Sequence, residues 1–324
     1  MKHLTKLLGG VAIAFAVSSV PAAAQVVTIA TGAQGSLAYN SGQAVAKVAN
    51  EVGITARTQP LVGYLPLINN GEVDFGFSNA VEAAFALTGT GNYDRKNPNL
   101  RLVGTMFPLT TGLMARCDLG LKTVADLKAK ASSLRIASEY TSSTIIPFYI
   151  GGGLANAGVS YDEFKKVPVA SFVAGINALG DSLVDVALVS LNSGAGKQAS
   201  VKLQSHGGLC YISLDKSETG TAAFKAFLPA GNIVSIPQNK NINGLQTAGA
   251  NLMRIPWMML TNADVKDDLV YTMTKAIAEG KDALKASFGA FGRANAEKMA
   301  PKNEMPYHPG ALKYFKEANI KVGN

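Results

Sequence analysis

Two stretches of this chain join a strand, a loop of small and hydroxyl-bearing residues, and the start of a helix. In the first, Val26 to Ala30 is the β-branched strand and Thr31-Gly32-Ala33-Gln34-Gly35-Ser36 is the loop. A helical pattern follows from Tyr39, with Ala44, Val45 and Val48 sharing one face. In the second, Leu134-Arg135-Ile136-Ala137 leads into Ser138 to Thr144 (SEYTSST), and a helix is expected from Ile145 through Asn156, stopped by Gly158. Such junctions aim free backbone N–H groups at one point, where the helix dipole adds a positive partial charge. The chemistry on offer is reversible capture of an anion: neutral donors hold a carboxylate and leave it unchanged. Tight strand-to-helix turns also need glycine on steric grounds alone, so the first loop has a purely structural reading as well.

Catalytic patterns are missing from the sequence. There is no G-x-S-x-G, H-E-x-x-H, P-loop or G-x-G-x-x-G. His206 sits beside Gly207-Gly208 and His308 precedes Pro309, both readable as structural, and Ser213-x-x-Lys216 lacks the companion motifs of a serine nucleophile. Carboxylates are not clustered and no metal-ligand spacing occurs, so neither a metal nor a cofactor is expected. Cys117 and Cys210 are the only cysteines; an oxidising compartment permits them to pair, and spacing alone leaves open whether they do.

The elements that must position these loops begin after an export signal. Lys2 and Lys6 form a basic start, Leu7 to Val17 an apolar stretch, and Pro21-Ala22-Ala23-Ala24 a small-residue site with cleavage expected after Ala24. That implies a soluble periplasmic protein of about 300 residues, enough for two lobes with a core each. With 48% hydrophobic and 16% charged residues the composition is that of a folded α/β chain. The formal charge of +8 falls to +6 once Lys2 and Lys6 are removed, and its spread, without runs of like charge, argues against nucleic acid as a partner.

Along the mature chain, strands are expected at Ile54–Pro60, Phe75–Phe77, Leu102–Met106, Gly112–Arg116, Leu134–Ala137, Val167–Val169, Asp185–Val189 and Gly208–Leu214. Ser78 and Asn79 open a helix over Ala80–Leu87, and Asn79 suits a helix cap and a ligand contact equally. Thr123 with Asp126 forms a capping box. Two long helices are expected from Val265 to Phe288 and through Arg293 to Met299, and a last one starts at Pro309.

Six segments in chain order resemble the TAXI family, the extracytoplasmic solute receptors of TRAP transporters. They are Thr31–Tyr39, Asn70-Gly71-Glu72-Val73-Asp74-Phe75-Gly76, Thr123–Lys128, Asp185-Val186-Ala187, Asp267–Tyr271 and His308-Pro309-Gly310-Ala311-Leu312-Lys313-Tyr314. The chain departs from the family where Leu37 and Ala38 replace two adjacent aromatics, and where Thr141-Ser142-Ser143-Thr144 replaces G-S-G-T. Glycines exchanged for Thr141 and Ser143 imply a changed backbone path or added hydroxyls at the ligand.

The resemblance implies a two-lobed α/β fold of the periplasmic-binding-protein kind (type II-like), each lobe a mixed sheet flanked by helices and joined by hinge strands. Lobe 1 is expected to comprise 25–115 with 236–324, and lobe 2 to comprise 116–235. It also implies hinge closure on a small organic anion, delivery to TRAP-type permease subunits, and a monomer. Gly35, Ser36 and Tyr39 would face Thr141, Ser142, Ser143 and Thr144 across the cleft, with Asn79 adding an amide and Ser138 a hydroxyl. Arg57, Arg116, Arg135 and Arg254 are candidate anchors for a carboxylate. A receptor serving a signalling partner would share this sequence pattern, and a periplasmic hydrolase is a further alternative that would require turnover.

Overall fold

The computed structural model describes residues 26–191 and 193–323. The export signal over 1–24 lies outside them. The first βαβ unit is β1 (Val26–Thr31), α1 (Leu37–Glu51) and β2 (Thr55–Pro60), with β1 and β2 parallel. Helix α1 buries Ala44, Val45, Val48 and Ala49 on that sheet. Gly42 lets it approach, because a Cβ there would stand 2.4 Å from the Thr31 methyl. Next come α2 (Tyr64–Asn69), the fully buried β3 (Phe75–Asn79), α3 (Ala80–Thr88) and β4 (Leu100–Arg116).

The second lobe alternates α4 (Val124–Lys130), β5 (Arg135–Glu139), α5 (Ile146–Asn156), β6 (Lys165–Val169), α6 (Phe172–Gly180), β7 (Val186–Ser190) and α7 (Gly194–Lys202). It continues with β8 (Leu209–Tyr211), α8 (Glu218–Phe227) and β9 (Asn232–Ile236). Strand β10 (Ala250–Asn262) returns to the first lobe, where α9 (Asp267–Glu279), α10 (Lys281–Ser287) and α11 (Pro309–Glu317) close the chain. The Thr123–Asp126 capping box is present at the start of α4.

All ten strands belong to one mixed sheet in the order β2-β1-β3-β10-β4-β7-β5-β6, with β8 on β4 and β9 on β10. Two strands carry it from lobe to lobe. Expected as a pair of strands around Pro108–Thr111, residues 100–116 form the single 17-residue strand β4. It runs through Pro108 because the opposite residue on antiparallel β10 is Pro256. Neither proline can donate, so the two must form a non-hydrogen-bonded pair whose missing N–H groups would have pointed outward. Outward there is no strand to meet: β3 reaches only Trp257, β9 only Arg254, and β7 begins at Thr111. At Pro108 and Pro256 the sheet is two strands wide, which is the hinge.

Beyond 236 the chain keeps contact with elements of 186–211. The Tyr211 N–H donates to Gly244 O at 3.5 Å and Asn243 Nδ2 to Gly196 O at 3.1 Å. Leu245, Leu252 and Met253 lie in a core with Ile136, Ile150 and Leu188 that runs across the sheet to Leu65, Ile68 and Val81. A second core, with Ile29, Val45, Phe75, Met259, Val270 and Phe315, fills the α1–α9–α11 face of lobe 1. Cys117 and Cys210 are bonded, with Cα atoms 5.0 Å apart, tying the end of β4 to its neighbour β8. The long C-terminal helix expected from Val265 is broken at Gly280, and the segment through Met299 forms short 3-10 turns instead. A Cβ at Gly280 would lie 2.5 Å from Ala276 O, so the chain turns there in a way only glycine allows.

Candidate functional site

Beside the hinge, between the two lobes, lies a cavity of about 430 Å³. Lobe 1 supplies the loop before α1 (Gly32, Ala33, Ser36), the start of α2 (Tyr64), the β3–α3 junction (Asn79, Glu82) and the loop after α3 (Asn92, Tyr93, Asp94). Lobe 2 supplies Ser142, Ser143, Thr144 and Tyr149 from the start of α5, with Ser171 and Phe172 from the start of α6. The hinge strands add Leu109, Thr111 and Trp257. Both strand–loop–helix junctions singled out in the sequence therefore open onto one space, at the sheet crevice where α/β proteins take ligands.

Of the expected site residues, Ser36, Asn79, Ser142, Ser143 and Thr144 line the cavity, while Gly35, Tyr39, Ser138 and Thr141 do not. Tyr39 sits in the first turn of α1 with its N–H bound to Ser36 Oγ at 3.1 Å. Ser138 is buried on β5, its hydroxyl without a hydrogen-bond partner, and Thr141 is exposed. None of Arg57, Arg116, Arg135 and Arg254 lines the cavity. Arg135 is committed to Asp185 and Arg116 lies 3.4 Å from Asp118.

The hydroxyls of Ser36, Ser142, Ser143 and Thr144 are already engaged with the protein itself. Ser36 Oγ caps α1. Ser142 Oγ donates to Ala170 O at 2.7 Å, and Ser143 Oγ accepts from the Phe172 N–H at 3.3 Å. Thr144 Oγ1 accepts from Asn92 Nδ2 at 2.9 Å across the cleft. Ser36, Ser143 and Thr144 accept in these bonds and so each keeps a hydroxyl hydrogen to offer. Asn79 is the cap expected of it: its Oδ1 accepts the Glu82 N–H at 2.8 Å at the start of α3, and its Nδ2 donates to Glu82 Oε2 at 3.2 Å.

Glu82 is the residue the sequence did not disclose. It occupies the third position of α3, where an acid reads as routine helix capping. In space it stands on the cavity wall and accepts from Tyr93 Oη at 3.1 Å and from Ser78 Oγ at 3.4 Å. Burial pushes its carboxyl above the ordinary carboxylate value, and the hydrogen bonds around it offset only part of that. Tyr64, Tyr93 and Tyr149 line the same space; Tyr64 donates to Phe77 O, and Tyr149, 2% exposed, has no hydrogen-bond partner for its hydroxyl. Burial first, and the Glu82 charge second, raise all three phenols. These groups come from α2, α3, the following loop and α5, so no local motif could have announced them.

Trp257 forms part of the floor, its ring stacked 6.2 Å from Phe77 and its Nε1–H on Ser41 Oγ at 3.1 Å. Phe85 of α3 meets Phe148 of α5 edge-on at 5.2 Å, a second cross-lobe contact beside Asn92–Thr144. Among the described residues no group of three His, Cys, Asp or Glu is placed to hold a metal.

A model of the NMT1-like family matches residues 29–318. Among solved structures, the chain is similar to MatC from Rhodopseudomonas palustris with bound malate, at 14% identity and a TM-score of 0.56, covering 91% of this chain and 96% of that one. It is similar to the periplasmic binding protein BugD at 12% identity and a TM-score of 0.56, covering 92% and 98%. It is likewise similar to a TctC solute binding protein from Polaromonas, at 12% identity and a TM-score of 0.50, covering 83% and 89%. At such identities the likeness establishes the fold, that of two-lobed periplasmic binding proteins.

Proposed function

The chain belongs to the NMT1-like family, and from that membership and its cleft we propose that it is a periplasmic receptor for a small organic solute carrying a carboxylate. The observation that carries this reading is the cavity itself: two strand–loop–helix junctions, one per lobe, converge on it beside a two-stranded hinge. Ser36, Ser143 and Thr144 offer hydroxyl hydrogens, and the starts of α1 and α5 add helix-end polarity of the sign an anion prefers. Asn79 supplies an amide. Hinge bending at Pro108 and Pro256 closes the lobes on the solute.

We take the receptor to be exported with cleavage after Ala24 and to work as a monomer. The TAXI-like segments, six in order, favour a TRAP-type permease as its membrane partner. The lobes in this reading divide at the two prolines, so that the stretch 236–254 moves with lobe 2. Thermal unfolding of the mature protein against a panel of organic acids, amino acids and neutral sugars tests the reading, since a true ligand raises the midpoint by mass action. A carboxylate-bearing compound is expected to give the largest shift, reduced in Ser143→Ala and Thr144→Ala. A shift confined to neutral sugars would refute carboxylate recognition.

A further inference from the structure

A cavity built for an anion alone would be expected to present positive charge, and this one presents the reverse. Among the described residues lining it there is no Lys, Arg or His, while Glu82 stands on its wall and Asp94 on its exposed side. A carboxylate removed from water needs a cation or several strong donors, and isolated burial is costly. Glu82 receives a phenol, an amide and a hydroxyl, all neutral. Two further groups lack partners on the same walls, the buried Tyr149 hydroxyl and the Asn92 Oδ1; Asn92 Nδ2 gives one of its two hydrogens to Thr144. Asn92 Oδ1 can only accept, and Glu82 has lone pairs to spare, so both would take an N–H donor or a positive charge from a solute. The aromatic rings of Tyr64, Tyr93, Tyr149, Phe172 and Trp257 line the same space and suit a cation.

We infer that the solute carries a cationic nitrogen as well as its carboxylate, and that Glu82 is the residue that selects it. The inference rests on the receptor reading above and narrows it to zwitterions. The carboxylate lies toward the hydroxyls of Ser143 and Thr144, and the nitrogen toward Glu82, Tyr149 and Asn92. A dicarboxylate in the same pose would set its second charge against Glu82 with no cation between them.

Isothermal titration of the mature protein with four probes tests this: δ-aminovalerate and glycine betaine as zwitterions, valerate as the matched acid without nitrogen, and glutarate as the dicarboxylate. At least one zwitterion is expected to bind ~10-fold or more tightly than valerate, with glutarate no better than valerate. Glu82→Gln keeps the size of the side chain, and its amide oxygen can still accept from Ser78 and Asn79 while its Nε2–H donates to Tyr93 Oη; it is expected to weaken the zwitterion ~30-fold while leaving valerate within ~3-fold. The ranking of the four probes on the unaltered protein stands without any variant. Valerate or glutarate binding as tightly as the zwitterions, or zwitterion affinity surviving Glu82→Gln, overturns the inference and leaves the receptor reading intact. Binding by none of the four overturns the zwitterion inference, and the wider solute panel then decides the receptor reading separately.

Discussion

Asp185 in the second lobe and Glu82 in the first are acids drawn out of bulk water, and the fold treats them in opposite ways. Asp185, 8% exposed, receives Arg135 three times: from its backbone N–H at 2.8 Å, Nε at 3.0 Å and Nη2 at 2.7 Å. Burial pushes the Asp185 carboxyl up, but the Arg135 hydrogen bonds and charge outweigh it and hold the group below the ordinary carboxylate value. Glu82 has no such partner and is pushed the other way. An acid that only joins β5 to β7 is given its cation by the chain, whereas the acid facing the cavity is left to find one from outside.

Breaking the Asp185 pair should give the largest effect. Arg135→Met is expected to cost about 2 kcal/mol in urea unfolding, below the usual cost of orphaning a buried charge because the guanidinium is 40% exposed. A cost under about 0.5 kcal/mol would mean that Asp185 is solvated after all and the contrast false.

Glu82→Gln should act in the opposite sense on the free protein, stabilising it by about 1 kcal/mol at pH values where Glu82 is ionised, by removing an uncompensated charge. Its pH dependence sharpens the point. The folded state holds the Glu82 proton more tightly than the unfolded chain, so its contribution is fully present below the unfolded carboxyl value and is lost as pH rises through the raised folded value. The advantage of Glu82→Gln over the parent should therefore grow with pH. Asp185, held low, contributes stability above its unfolded value that is lost as pH falls through the folded one, so Asp185→Asn should show the reverse trend. Parallel trends for the two variants would contradict the assignment.

The smallest effect concerns the contact that bridges the lobes. Asn92→Ala removes the hydrogen bond to Thr144, worth about 0.5–1 kcal/mol, and should weaken solute binding about 3-fold while raising the radius of gyration seen by small-angle scattering of the free protein. An unchanged radius would assign lobe contact to Phe85–Phe148 alone.

Local features were readable from residue order. The strand before Thr31, the caps at Asn79 and Thr123, and the hydroxyl loop before α5 follow from β-branched runs, capping side chains and glycine stops, all decided within a few residues. The uninterrupted β4 was not, because a proline within a strand normally ends it and its tolerance depends on Pro256, 148 positions later. For the cavity, the loops gave Ser36 and Ser142–Thr144, and Asn79 stood out as the residue closing β3. Tyr64, Glu82, Tyr93 and Tyr149 stayed hidden, since each satisfies an ordinary role in its own element and gains another only when α2, α3 and α5 meet. Tyr39 and Ser138 have hydroxyls beside the right loops but do not line the cavity, a matter of one residue along a helix or strand.

The facing prolines of the hinge have a consequence for how the molecule survives at high concentration. Where the sheet narrows to β4 and β10, neither outer edge of that ribbon is paired with a strand, and an unpaired edge is a template on which another chain can add a strand. Pro108 and Pro256 each delete the donor that such an intruding strand would use, on opposite edges of the ribbon. The narrowest part of the sheet is thus also poorly fitted to nucleate a fibre.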